Sequence, residues 1–348
     1  MRRYLPIAGL AVVTALAPAT LPAQSPSEPL EIARTLAARY PTSTTLAYIP
    51  ALSWGMSLRL SLAVDDPAIG EKTVAELRPY LDGTVPVVAE PYRLTNIAGA
   101  AALFDASIFG IAEGQALAQE AADFLLPTEA GEVIRFATGW TDDMYMGASL
   151  LGRVAAATED PRYRDAVGAL LTTYAERLQR PDGLFVHAPD GPVAWGRGNG
   201  FAALGLLEAL TYLPDEWEGY PRLLDIFQRH MDAMAGHQSA SGAWRQVVDV
   251  PESYEELTVT AMMVTAMARG VRIGWLDADR FLPIIDRAWA AVVERVGEDG
   301  SVRDACTSTG AGTSLEYYLE RPIVNGVDDR AGGLVMMAAM EMELFRNG

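Results

Sequence analysis

The sequence predicts an all-α fold in which six helix hairpins close into a double ring. Three observations carry that expectation. Apolar residues recur at helical spacing through most of the chain, and strand-like alternation appears only in scraps such as residues 243–250. A short glycine turn repeats at a near-constant step, at Asp182-Gly183-Leu184-Phe185, Ser241-Gly242-Ala243-Trp244 and Asp299-Gly300-Ser301-Val302. Helices of two kinds alternate: one is charged and amphipathic, the other small and apolar nearly all round, as burial on both sides requires.

The elements follow in order. Outer helices are expected to start near Glu28, Ala68, Ala112, Pro161, Asp215 and Asp277. Inner helices are expected near Leu52, Asn96, Asp142, Asn199, Glu255 and Asp328. Six of each make a closed (α/α)6 barrel, or six-hairpin toroid; an open solenoid is the competing arrangement. The outer helix over residues 161–179 shows the logic. Asp165, Ala169, Leu170, Tyr174 and Leu178 fall on and around one stripe, and Pro161 suits the first helical position. Inner helices are expected over residues 199–213, 255–269 and 328–344. No Pro/Ser-rich linker interrupts the chain, so residues 24–348 are expected to form one barrel domain.

Residues 1–23 read as an export signal. Arg2 and Arg3 precede an apolar stretch from Leu5 to Pro18, and Leu21-Pro22-Ala23 ends in a small residue. The apolar run is shorter than the ~18 residues a membrane span needs. The expected location is therefore periplasmic or extracellular, with no membrane attachment after signal removal. The single cysteine, Cys306, allows no internal disulfide. A net charge of -18 argues against nucleic acid as partner. An anionic substrate would need a local basic site working against that field.

In such a barrel the long loops enter the N-termini of the inner helices, all on one face. Their open N–H groups and dipoles favour anions there. Trp140-Thr141-Asp142-Asp143-Met144-Tyr145-Met146 opens one inner helix, and Asp142, Tyr145, Met146 and Ser149 share a face. One Asp suffices to cap a helix, so the second is available for chemistry. An indole beside a carboxylate disfavours its ionised form. Trp195-Gly196-Arg197-Gly198-Asn199-Gly200-Phe201 is the most specific segment. Arg197 offers a fork suited to a carboxylate, Trp195 a flat face for a sugar ring, and Asn199 an N-cap. His187 lies on the loop after an outer helix, whereas His230 and His237 fall at the end of one and read as structural. No metal-ligand spacing is apparent, so neither a metal nor a cofactor is expected.

At these residues the chain resembles the unsaturated glucuronyl and rhamnogalacturonyl hydrolases, glycoside hydrolase families 88 and 105. Residues 140–146, 182–187 and 195–200 carry the resemblance. Trp244 to Asp249, Cys306 to Gly310 and Tyr317 to Pro322 support it. It is patchy before Ile97 and good from there onward. The resemblance implies an (α/α)6 barrel acting on an anionic oligosaccharide with a 4,5-unsaturated uronate at its non-reducing end. It implies that one Asp protonates the vinyl ether at C4 and helps water add at C5, after which the hemiketal collapses and frees the sugar. Asp142 matches that Asp. The resemblance further implies that His187, Trp195 and Arg197 line the uronate subsite.

Two positions depart from the family pattern. Asn96 stands where a second Asp is usual, and Asp328-Asp329-Arg330 where an Asp-His pair is common. The nominated set is therefore Asp142 for catalysis, with Asn96, Trp140, His187, Trp195, Arg197 and Asn199 binding substrate. Two other readings compete. One is a hydrolase or lyase on saturated uronides using Asp142 with Asp143 or Glu256. The other is a non-catalytic carbohydrate-binding barrel.

Overall fold

The structure, a computed structural model, describes residues 28–347. The expected export signal over residues 1–23 lies outside the described residues. Outer helices are α1 (Glu28–Arg39), α3 (Pro67–Leu81), α6 (Glu113–Leu125), α8 (Pro161–Leu178), α10 (Tyr220–Ala235) and α12 (Ala278–Val293). Inner helices are α2 (Tyr48–Ala63), α7 (Asp142–Thr158), α9 (Gly196–Tyr212), α11 (Leu257–Ile273) and α14 (Asp329–Asn347). The remaining inner position is a broken rod of α4 (Leu94–Ile97), a 3-10 turn (Ala98–Ala100) and α5 (Ala101–Ile108).

Each inner helix packs on the next, and α14 returns to pack on α2, so the ring closes and the open solenoid is excluded. The fold is an (α/α)6 barrel. The two helix classes differ as their sequences require. α10 and α12 bury one stripe, whereas every residue of α11 from Leu257 to Gly270 is buried. Close approach of inner helices needs small residues: a Cβ on Gly205 of α9 would lie 2.5 Å from the Met144 backbone of α7.

Start signals explain the boundaries. Asp66, Asp160 and Asp277 cap the outer helices α3, α8 and α12 by accepting from the N–H two residues on. The helix expected from Asp215 instead begins at Tyr220. Residues 214–219 are held in turns, with the Trp217 N–H on the Pro214 carbonyl and the Tyr220 N–H on the Trp217 carbonyl. Four short strands were not all foreseen. β1 (Trp244–Arg245) pairs antiparallel with β2 (Glu255–Glu256), within and just beyond the alternating scrap. β3 (Val302–Cys306) pairs with β4 (Ile323–Gly326), and the loop between them carries helix α13 (Leu315–Leu319). These hairpins frame the barrel mouth at which the inner helices start.

The far end of the barrel is closed by charge. Each inner position places an ionised side chain of this network toward its C-terminal end, and in ring order the signs alternate: Arg59, Asp105, Arg153, Glu208, Arg269, Glu341. Asp105 Oδ1 lies 3.2 Å from Arg59 and 3.3 Å from Arg153. Arg153 also bonds Glu208, which lies 3.5 Å from Arg269. Glu341 pairs with Arg269 at 2.9 Å and with Arg272 at 2.6 Å. Burial alone would push the Asp105 and Glu341 carboxyls up, but their arginine partners hold both below the ordinary carboxylate range. A buried charge is costly unless paired or hydrogen-bonded, so the alternation favours this order of helices over others.

Candidate active site

The mouth is built first by Asp143. Its carboxylate accepts from Thr138 N at 2.6 Å, Gly139 N at 2.8 Å, Thr138 Oγ1 at 3.0 Å and Tyr174 Oη at 2.6 Å. These bonds turn residues 138–140 onto the start of α7. Burial pushes the Asp143 carboxyl up, against the pull of its four donors. Thr141 occupies the N-cap position but its side chain makes no capping bond. Asp142 is thereby free of the capping task. Its side chain stays 13% exposed at the mouth.

Asp142 Oδ2 lies 3.2 Å from His187 Nε2, and His187 Nδ1 lies 2.8 Å from the Tyr318 hydroxyl. His187 is fully buried. Its N–H donates to the Val193 carbonyl and its carbonyl accepts from Thr141 N, so the glycine-turn loop is stitched directly to α7. Three rings wall the imidazole: Trp195 at 4.4 Å between centroids, Trp140 at 5.5 Å and Tyr318 at 5.7 Å. Trp140 is half-buried and keeps part of its indole open beside Asp142. Burial pushes the Tyr318 phenol up to about 12.

Arg197 is 2% exposed and forms no ion pair among the described residues. Its Nη1 and Nη2 donate to the carbonyls of Cys306 and Thr307, each at 2.7 Å, and its guanidinium lies 4.8 Å from the Trp195 ring. Desolvation works against its charge, yet the fields of Cys306, Glu256, Tyr48 and Asp142 hold it above the usual guanidinium value. Among the described residues its hydrogen bonds go only to carbonyls, and its charge is balanced at longer range by Glu256 and Asp142.

Several expectations need correcting. His187 does not itself line the uronate subsite: it is fully buried and its two ring nitrogens face Tyr318 and Asp142, so it supports Asp142 from behind. Trp195 does not present a free face to a sugar. It is 1% exposed, covered by His187 on one side and Arg197 on the other, and its Nε1 donates to Gln246. Asn199 is neither an N-cap nor at the surface. It lies inside α9, accepts from Phe185 N and donates to the Phe185 and Trp195 carbonyls, which exhausts its amide. The glycine-rich segment is the first turn of α9, not a turn before it. A Cβ on Gly198 would sit 2.7 Å from Thr141 Oγ1, so this glycine buys contact between α9 and α7. Asn96 is exposed on α4, and no hydrogen bond joins it to Asp142. The second acids considered are both occupied. Asp143 is bound as described, and Glu256 caps α11 through Val259 N and Thr258 Oγ1 while accepting from Cys306 N.

Sequence reasoning missed two residues. Tyr48 opens α2, and its phenol is raised first by burial and then by the charge of Asp142. The inner helix was expected near Leu52, one turn late, so the residue at its mouth went uncounted. Tyr318 falls in a segment that carried the resemblance without a role. α2, α4, α7 and α9 also start without side-chain caps, leaving N–H groups facing the mouth. Among the described residues no three His, Cys, Asp or Glu gather to hold a metal, and no helix is long and apolar enough to cross a membrane.

Residues 115–346 match the family model described as Glycosyl Hydrolase Family 88. The chain is 26% identical over 181 residues to an unsaturated 3S-rhamnoglycuronyl hydrolase of Formosa agariphila, covering 47% of this chain and 48% of that one. It is 24% identical over 210 residues to an unsaturated rhamnogalacturonyl hydrolase of Bacillus subtilis, covering 58% and 56%. It thus spans about half the length of the curated relatives it matches. Among solved structures, a family 105 glycoside hydrolase of C. acetobutylicum superposes with a TM-score of 0.79 at 20% identity, over 91% of this chain and 99% of that one. The unsaturated glucuronyl hydrolase of Bacillus sp. GL1 does so at 0.67 and 16%, over 90% and 95%.

Proposed function

The chain belongs to Glycosyl Hydrolase Family 88, and from that premise we propose that it removes a terminal 4,5-unsaturated uronic acid from lyase-generated oligosaccharides. The observation that carries the reading is a single available carboxyl at the mouth, partly exposed and held by His187. Of the three acids nominated, only Asp142 has an oxygen without a protein partner; Asp143 and Glu256 are consumed by backbone and hydroxyl donors. Displacement at the anomeric carbon needs two working carboxylates. Hydration of a vinyl ether needs one.

In the proposed reaction the substrate carboxylate lies at the mouth against the uncapped starts of the inner helices, with the Arg197 charge behind them. Asp142 delivers its proton to C4, and C5 becomes an oxocarbenium centre conjugated to the ring oxygen. The carboxylate so formed takes a proton from the water that adds at C5. The hemiketal opens, and the sugar leaves. Trp140 supplies the exposed indole for a ring face, and the Tyr48 hydroxyl points a polar group into the same space. His187 holds Asp142 in place. Export directed by the N-terminal segment belongs to the same reading.

The test is a paired assay with oligosaccharides of one polymer, ended by a saturated or by an unsaturated uronate. Consumption of the unsaturated end alone supports the reading. Turnover of the saturated end refutes it in favour of ordinary uronide cleavage, and binding without turnover of either refutes it in favour of a carbohydrate-binding barrel.

A further inference from the structure

We propose that Tyr318 is a positioning residue that sets the tautomer of His187 and thereby decides which oxygen of Asp142 carries the catalytic proton. This rests on the reading of Asp142 as proton donor. It follows from counting donors in a sealed space. Tyr318 and His187 are both fully buried. The Tyr318 hydroxyl accepts from Gly312 N at 3.1 Å. A Cβ on Gly191 would lie 3.0 Å from the same oxygen, so the backbone closes over it. The phenol proton needs an acceptor of its own. Among the described residues the acceptor in reach is His187 Nδ1, at 2.8 Å.

A neutral imidazole has one donor and one acceptor. If Nδ1 accepts from Tyr318, the proton is on Nε2, which faces Asp142 Oδ2 at 3.2 Å. Oδ2 is then an acceptor only. The proton on the Asp142 carboxyl must sit on Oδ1, which has no hydrogen-bond partner among the described residues. The opposite tautomer would strand the phenol proton. It would also let Nε2 accept from Oδ2–H, holding the acid proton inside the wall where no substrate reaches it. Tyr318 excludes that state. It never touches substrate and acts through His187, as an orienting carboxylate acts through the base of a hydrolase triad.

The test uses the full chain with 15N-labelled histidine, wild type and Tyr318→Phe. Two-bond proton–nitrogen correlation spectra report the tautomer directly, and His187→Gln identifies the signal among the three histidines. The wild type is expected to show His187 as the Nε2–H form. Tyr318→Phe is expected to shift it wholly or partly to Nδ1–H. kcat on an unsaturated uronide should fall in proportion to the Nε2–H fraction lost, by about twofold or more, while KM stays within about twofold. Should Tyr318→Phe fail to fold, the wild-type spectrum alone still decides, since an Nδ1–H form there overturns the inference. An unchanged Nε2–H form in a folded Tyr318→Phe also overturns it. An active wild type with the wrong tautomer defeats this inference alone, whereas an inactive wild type defeats the proton-donor reading and with it the catalytic half of the inference.

Discussion

Glu208→Gln tests whether the charge ring at the far end of the barrel holds the fold. Glu208 is buried between Arg153 and Arg269, and among the described residues it is the carboxylate that links them. Glutamine keeps the shape, so no cavity confuses the result. Removing one partner from a buried ion pair costs about 3–5 kcal/mol. Arg153 keeps Asp105 and Arg269 keeps Glu341, so neither guanidinium is left alone. The lower end, ~3 kcal/mol, is therefore expected. At roughly 2 cal/mol/K per residue, a chain of this length unfolds with an entropy near ~0.7 kcal/mol/K, so the melting temperature should fall by about 4 °C. The assay is thermal unfolding followed by circular dichroism. Arg280→Gln serves as control, because Arg280 and Asp232 pair at 2.8 Å with half of each side chain exposed, and such pairs contribute ~1 kcal/mol or less. Below the transition kcat should be unchanged, since the ring lies opposite the mouth. A shift no larger than the control's would refute the claim that the ring fixes the helices.

Two further outcomes follow. Burial lowers His230 from 6.5 to about 4, against the pull of the Asn199 and Gly183 carbonyls on its ring nitrogens. The unfolded chain takes up this proton first, so the stability that neutral His230 contributes is complete above pH ~6.5 and lost as pH falls toward ~4, roughly 3 kcal/mol in all; the melting difference between wild type and His230→Gln should change across that window, and a flat difference would contradict it. Arg197→Lys places one ammonium where a fork spans the Cys306 and Thr307 carbonyls. With the loop that carries those carbonyls no longer bridged, KM for an unsaturated uronide should rise about tenfold, and an unchanged KM would remove Arg197 from any part in holding the substrate.

The helical framework was legible because periodicity and the repeated glycine turn are local signals that the closed ring does not overrule. Asp142 could be nominated for a different reason: two adjacent acids at a helix start exceed what capping needs, and Asp143 is the one consumed locally. The misreadings share one cause. Trp195, Asn199 and the glycines beside them look like surface chemistry in one dimension, because indole, amide and open backbone all suit a sugar. In the barrel they are interhelical packing, and Gly198 is small for Thr141, not for a ligand. Tyr318 could not be placed from the sequence at all, since its hydroxyl reaches His187 only after β3 and β4 pair and bring residues 307–322 back over the mouth. The alternating ring was equally hidden. Each of its members is one charge in an apolar helix, and the sign pattern appears only when the helices are taken in ring order.

Asp142→Asn, assayed by the loss of ultraviolet absorbance of a terminal unsaturated uronide, tests the account most directly. Asparagine keeps the contact with His187 but has no acid proton to deliver. The account predicts that the absorbance persists over times in which the wild type consumes the substrate, with the melting temperature unchanged to within about 2 °C. Wild-type rates in the folded variant would contradict it.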